Sequence, residues 1–196
     1  MEQPIPSKSV DNTDSFVALE SQIRECFGRV VYSHKTHEKC ADLLLTRHNR
    51  IKLLQIALSV ITTGSLLVTL LGQGRASTIV AAIASAGLLA LNSYTKDYDL
   101  GQMSLKHKAT ASDLWDIRES YFSLLTDINS GLISKEDIAS KRDDLQEKLH
   151  AVYEASPRSI PKAYGKAQEA LKLSEELTFS DEEIDKFLPA PLRKRA

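Results

Sequence analysis

Two long apolar runs, Leu53 to Gly74 and Ala76 to Thr95, interrupt a chain whose hydrophobic positions are otherwise spaced for amphipathic helices. Only Arg75 separates them, and each is about 20 residues, about 30 Å as an α-helix, which matches the hydrocarbon thickness of a bilayer. In the first, LLQIALSVITTGSLLVTLLGQG, Leu, Ile and Val fall on every side of a helix and leave no face for water. The second, ASTIVAAIASAGLLALNSYT, is rich in Ala, Ser and Gly and alone would suit the buried helix of a soluble core. Gly72-Gln73-Gly74-Arg75 supplies backbone-permissive residues where the chain must reverse. The pair predicts a transmembrane helical hairpin. The alternative is a soluble bundle around a hydrophobic central hairpin.

The flanking pattern is helical throughout. Phe16, Leu19, Ile23, Cys26, Val30, Ser33, His37, Cys40, Leu44, His48 and Ile51 recur at steps of three and four, the seam of a packed helix pair. No proline occurs between Pro6 and Pro157, so this helix is expected to run straight into the first span. After the second span the helical pattern continues through Tyr94, Tyr98, Leu105 and Ala109, with Gly101 as the candidate break. Leu114, Ile117, Tyr121, Leu124, Leu125 and Ile128 then form an apolar stripe that Asn129-Ser130-Gly131 ends. Ser134 and Asp137 resemble a capping box opening a helix through Ile138, Leu145, Leu149, Val152 and Tyr153. Pro157 and Pro161 close it and open another, Lys162 to about Leu177, expected to bury Tyr164, Ala167, Leu171 and Ser174. Ser180 and Glu183 predict a final capped turn.

The predicted fold is therefore all-α: a two-span transmembrane hairpin with long cytoplasmic helical extensions and a C-terminal helical region. Its parts are a flexible polar leader at 1–14, a cytoplasmic helix at 15–52 and the hairpin at 53–95. A cytoplasmic helical region at 96–177 and a short terminal turn and tail at 178–196 complete it.

Charge sets the orientation. Arg47, Arg50 and Lys52 crowd the start of the first span and Lys96, Lys106 and Lys108 follow the second, whereas the tip holds only Arg75; both termini are expected in the cytoplasm. The first fifteen residues lack an apolar core, so the first span itself is expected to act as the targeting signal. In that compartment Cys26 and Cys40 are expected to be reduced, and at about 21 Å apart on one helix they cannot bridge within it. Lys and Arg total 25 against 26 Asp and Glu, so no basic field favours nucleic acid as a partner.

Candidate chemistry is sparse. His34, His37, Glu38 and Cys40 are metal-ligand types at helical spacing, but no second His/Cys cluster closes a site, and hydrogen bonding to a partner helix explains them more simply. Asp181, Glu182 and Glu183 fit the first turn of a helix better than an acid–base pair. Arg193-Lys194-Arg195 is shorter than a usual lipid-binding cluster. There is no Gly-rich phosphate loop, no H-E-x-x-H, no Cys-x-x-Cys and no recognisable nucleophile–base spacing, so no catalytic residue, metal or cofactor is expected.

The segment DLWDIRESYFSLLTDINSGLISKEDIASKRDDLQEKLHAVYEASPRSIPKAYGKAQEAL, following a basic helix and a two-span hairpin, resembles the SLATT family of two-transmembrane effectors. The resemblance covers most of residues 16 to 175. Its most specific marks are Trp115 and Arg118 of LWDIRE, Asp127 and Gly131 of TDINSG, Arg142-Asp143, Leu145, Tyr153, Pro157, Tyr164 and Ala167. It implies a bacterial defence effector of the inner membrane, forming pores when a nucleotide-sensing partner is activated. No fused sensor is expected from this sequence, so the trigger is expected from another protein or a small molecule. The rival reading is a membrane-anchored scaffold binding a cytoplasmic partner.

If the hairpin conducts, the sequence offers a lining. Gln55, Ser59, Thr62, Thr69 and Gln73 lie along one side of the first span with Leu66 in the gap as a constriction, and Ser85 and Asn92 add polar positions on the second. Hydrogen bonding between the spans would explain the same residues. Ala82, Ala86 and Ala90 form a small-residue ridge suited to close helix approach, and a homo-oligomer is expected, with intramolecular packing of the seam as the alternative.

Overall fold

A computed structural model describes residues 9–72, 74–189 and 193–194. Among them it contains six helices and no strand: α1 (Ser9–Leu70), α2 (Arg75–Asp97), α3 (Leu100–Asn129), α4 (Lys135–Ala155), α5 (Pro161–Lys172) and α6 (Asp181–Phe187). Part of the predicted leader, residues 1–8, lies outside the described residues, and α1 begins at Ser9, inside the segment read as leader. With 62 residues α1 is about 93 Å long and joins the N-terminal helix to the first span without interruption.

α2, α3, α4 and α5 dock on that rod or on its neighbour. The chain turns back through Gly72 and Gly74, whose φ of 81° and 85° lie in the left-handed region that favours glycine. Gln73, between them, lies outside the described residues. α2 descends along α1 to Asp97, where Tyr98 and Asp99 leave helical geometry and the Asp99 carboxylate accepts from Gln102 N at 2.9 Å. The break thus falls at Tyr98-Asp99 and not at Gly101. Gly101 sits in the first turn of α3, where a Cβ would come within 3.1 Å of the His48 ring on α1. α3 remains antiparallel to α1, and a Schellman cap ends it: Gly131, at φ 64°, donates to Ile128 O while Leu132 N reaches Asp127 O.

α4 then runs parallel to α1 with a fixed offset of 120 residues. Lys135 bonds Ser15, Arg142 bonds Gln22 at 3.0 Å and Tyr153 bonds Ser33 at 2.7 Å, and beyond α4 Ile160 N reaches Cys40 Sγ at 3.3 Å. The Ser134 hydroxyl accepts from Asp137 N at the start of α4, and Ser180 with Glu183 completes a reciprocal capping box at α6.

Burial divides the molecule into three levels along α1. Far from the hairpin, Leu19, Ile23, Cys26 and Val30 of α1 meet Leu114, Ile117, Tyr121, Leu124 and Ile128 of α3 and Ile138 and Leu145 of α4 in an apolar core. The middle level is polar: His34, Lys35, Thr36 and His37 are all buried, as are Ser104, His107 and Thr110 of α3. Four consecutive buried positions mean that α1 is covered on every side there. At the third level only α2 accompanies it.

α5 packs on α1 at the middle level, and it corrects the sequence reading twice. It ends at Lys172, and its buried face is Ala163, Ala167 and Ala170, whereas Tyr164 and Ser174 are exposed and Leu171 only half-buried. Alanines let the backbones of α5 and α1 approach more closely than a tyrosine would permit.

The membrane hairpin and its polar stem

Two helices carry 18-residue windows with mean hydropathy of 1.9 and 1.6, of which 0% and 11% is buried within the protein. Leu54, Ile56, Val60, Ile61, Leu67, Ile79, Ile83 and Leu89 all point outward. The helix of a soluble core would hide such side chains, so their outward placement is the geometry of a protein whose solvent at this level is lipid. The chain is a membrane protein with two spans.

The side of each span that faces the other is the more polar one. Ile51, Gln55, Leu58, Thr62, Ser65 and Thr69 are the half-buried positions of α1 from Ile51 onward, at alternating steps of four and three. Ser77, Ala81, Ala84, Leu88, Leu91 and Thr95 repeat the same spacing on α2. This is a heptad seam between spans of one chain. Gln55 Nε2 donates to Asn92 Oδ1 at 2.9 Å and to Thr95 Oγ1 at 3.4 Å near its base; Thr69 meets Ser77 at 2.9 Å and Thr78 at 3.4 Å near its tip.

The proposed lining residues divide across the edge of this seam. Gln55, Thr62 and Thr69 turn toward α2, and Ser59 and Leu66 sit on the exposed side. The Ser59, Thr62 and Thr69 hydroxyls bond carbonyls four residues back, at Gln55, Leu58 and Ser65, which satisfies them without water. Asn92 is brought to Gln55, whereas Ser85 faces outward and joins no residue of the first-span stripe. Gln73 lies outside the described residues. Ala82, Ala86 and Ala90 are exposed, away from α1, and Ala81 and Ala84 make the close contact instead.

Below the seam, the polar level of the stem holds several electrostatically perturbed groups. His37 Nδ1 and His107 Nδ1 are 3.1 Å apart, so one ring must donate and the other accept, which requires opposite neutral tautomers. Burial, and secondarily the facing His107, lowers the His37 pKa to about 4; burial also lowers that of His107. His34 is lowered by burial as well, against the opposing pull of Glu38. Lys35 is a buried cation. Burial disfavours its charge, but hydrogen bonds to Glu176 at 2.6 Å and Glu38 at 2.8 Å outweigh this and raise its pKa. Glu176 also holds Lys39 at 3.2 Å, and these two partners lower its own pKa. The segment that presents it leaves α5 with Glu175 at φ 48° and Leu177 at φ 86°, conformations unfavourable for side-chain-bearing residues.

Cys26 and Cys40 are free and buried, and burial pushes the Cys40 thiol up. Sequence spacing picked out His34, His37 and Cys40 but not His107, which faces His37. The available signal was the polar run Ser104, His107 and Thr110, repeating every three residues within an otherwise apolar helix face.

No curated protein and no solved structure matches the chain. The family described as "SMODS and SLOG-associating 2TM effector domain family 4" matches residues 19–183, from the first turns of the stem through both spans to the capped turn of α6. Two spans, a helical stem and that match together place the chain in this SLATT family of membrane effectors of conflict systems.

Proposed function

We propose that several copies of this chain assemble in the bacterial inner membrane, with both termini in the cytoplasm, and open a pore during antiviral defence. The observation that carries the reading is the division of polar positions across the seam. Gln55, Thr62 and Thr69 are occupied within the hairpin, leaving Ser59, Ser85 and the Ala82–Ala86–Ala90 ridge on outward faces that another hairpin can meet. Two helices enclose no channel, so any aqueous path runs between subunits. Leu66, exposed beside Ser59, is the apolar residue placed to close such a path by dewetting. The effector acts without catalysis or cofactor, and a nucleotide-signalling sensor of the SMODS or SLOG type named in the family description supplies the trigger.

A second reading has its own support. The Gln55–Asn92 and Thr69–Ser77 contacts satisfy the most polar span residues within one chain, as a hairpin that only anchors a partner-binding stem would require. Dye-loaded vesicles containing the purified protein separate the two. A pore predicts that Leu66→Ser increases dye release under activating conditions while Leu67→Ser, about 100° around the helix, does not. Equal release from both removes the first-span stripe as the lining, and no release from either variant or from the parent, while the parent protein is active in cells, supports the anchor.

A further inference from the structure

Between α1 and α5, at the base of the hairpin, lies a cleft of about 740 Å³. Its rim carries Lys39, Arg47, Arg50, Lys162 and Lys166, set against three carboxylates, Asp42, Glu169 and Glu176. Glu176 is committed to Lys39 and the buried Lys35, and Arg47 lies 5.7 Å from the centre of the Tyr94 ring. Arg50, Lys162 and Lys166 have no carboxylate partner among the described residues. Arg50 stands three residues before Leu53, about 4.5 Å along the helix from the first outward-facing apolar side chain of the span.

We propose that this cleft binds a phosphate-bearing anion through Arg50, Lys162 and Lys166, with Glu176 as the internal carboxylate that competes with it for Lys39. The five cations of the rim exceed its three carboxylates by two, a surplus that one further carboxylate would not balance. A phosphate brings a charge near −2 and three acceptor oxygens, and a guanidinium can grip two of them at once. The volume suits a headgroup or a di- or triphosphate, within the range of small-ligand sites. Glu176 already shows where an anion sits between Lys35 and Lys39, on a segment whose two unfavourable φ values make its release easier. The phosphate can come from an anionic phospholipid, which Arg50 is close enough to the membrane boundary to reach, or from a soluble compound.

Binding is independent of whether the spans conduct, so the test uses no leakage readout. The full chain is placed in nanodiscs of phosphatidylcholine and titrated with inorganic tripolyphosphate; in a second arm, its unfolding midpoint is compared between phosphatidylcholine nanodiscs and nanodiscs containing phosphatidylglycerol. Arg50→Gln with Lys166→Gln should weaken binding about fivefold for each cation removed. Lys141→Gln with Lys148→Gln on α4 should leave it unchanged, and Glu176→Gln should tighten it. A response only to phosphatidylglycerol identifies a headgroup site, one only to tripolyphosphate a soluble ligand, and responses to both the shared chemistry. The proposal is overturned if neither arm responds, if the α4 variant loses as much as the cleft variant, or if Glu176→Gln weakens binding or leaves it unaltered.

Discussion

The stem and the hairpin share one helix, α1, and both use steps of three and four to pair it, yet they are built inside out relative to each other. In the stem, Ile23, Val30, Leu114 and Tyr121 are hidden and charged side chains face water. In the hairpin, Leu54, Ile56, Ile61, Leu67 and Ile83 are displayed while Gln55, Thr62, Thr69 and Ser77 turn inward. The solvent makes the difference. Water rewards burial of apolar area, whereas lipid is as apolar as leucine, and helices associate there through close contacts and hydrogen bonds.

The sharpest way to break this comparison is to truncate an apolar side chain at each level. Tyr121→Ala, in the fully buried stem core, should cost about 3–5 kcal/mol of stability. Leu67→Ala, facing outward from the span, should cost under about 1 kcal/mol. Urea unfolding in mild detergent, followed by circular dichroism, measures both. Similar losses would mean that the span is packed like the stem and that its outward face is covered.

The polar level between the two regions should respond to acid. His37 titrates near pH 4 when folded against about 6.5 when unfolded, so the unfolded chain binds more protons in that interval. Its contribution is fully present above pH 6.5, declines as the pH falls, and is gone below about pH 4. The total is up to about 3 kcal/mol. Replacing both rings, His37→Leu with His107→Leu, should flatten the midpoint-versus-pH curve between pH 6.5 and 4. An unchanged curve would remove the pair as the origin of acid sensitivity.

Several turns and helix caps were legible in the sequence, because they follow from local chemistry. Apolar runs of bilayer length, Gly72 and Gly74 at the tip, Gly131 after α3 and the Ser180–Glu183 cap each declare themselves within a few residues. The direction in which the polar span residues face was not legible. Gln55, Ser59 and Thr62 lie within a narrow arc, and only the position of α2 decides which of them falls inside the seam. Lys35 is hidden by Glu176, 141 residues further along, a pairing that no periodicity announces. The α5 face failed for a related reason. Tyr164 and Leu171 are the larger apolar residues, but the available gap against α1 fits Ala163, Ala167 and Ala170.

Within the hairpin, the base contact should matter more than any other. Gln55 offers two amide hydrogens to two acceptors, Asn92 Oδ1 and Thr95 Oγ1, while the Thr95 hydroxyl gives its own hydrogen to Asn92 O at 3.1 Å. Each of these three protons has an acceptor. Gln55→Leu removes both bonds and leaves Asn92 Oδ1 facing an apolar side chain, at a cost of about 1–2 kcal/mol. A double-mutant cycle with Asn92→Leu, read by unfolding in lipid, should show coupling between the two sites; additive losses would mean that the bond is not formed in the membrane.

The contact near the tip looks similar but has too few protons. Thr69 has one hydroxyl hydrogen and three acceptors within reach among the described residues, Ser65 O and Ser77 Oγ at 2.9 Å and Thr78 Oγ1 at 3.4 Å. Ser77 has one hydrogen, and Gly74 O at 2.8 Å competes for it. Among the described residues the three hydroxyl hydrogens of Thr69, Ser77 and Thr78 therefore serve four contacts, and forming the Thr69–Ser77 bond means giving up a bond to a backbone carbonyl. Its net worth should be near the low end for a hydrogen bond between membrane helices, about 0.6 kcal/mol. Thr69→Val keeps the shape and removes the hydroxyl, so it should destabilise the hairpin by about that amount and by less than Gln55→Leu does. The same unfolding assay in lipid ranks the two. If Thr69→Val proves the more damaging, the tip holds the spans together, and the base, next to the cation-lined cleft, is free to open first.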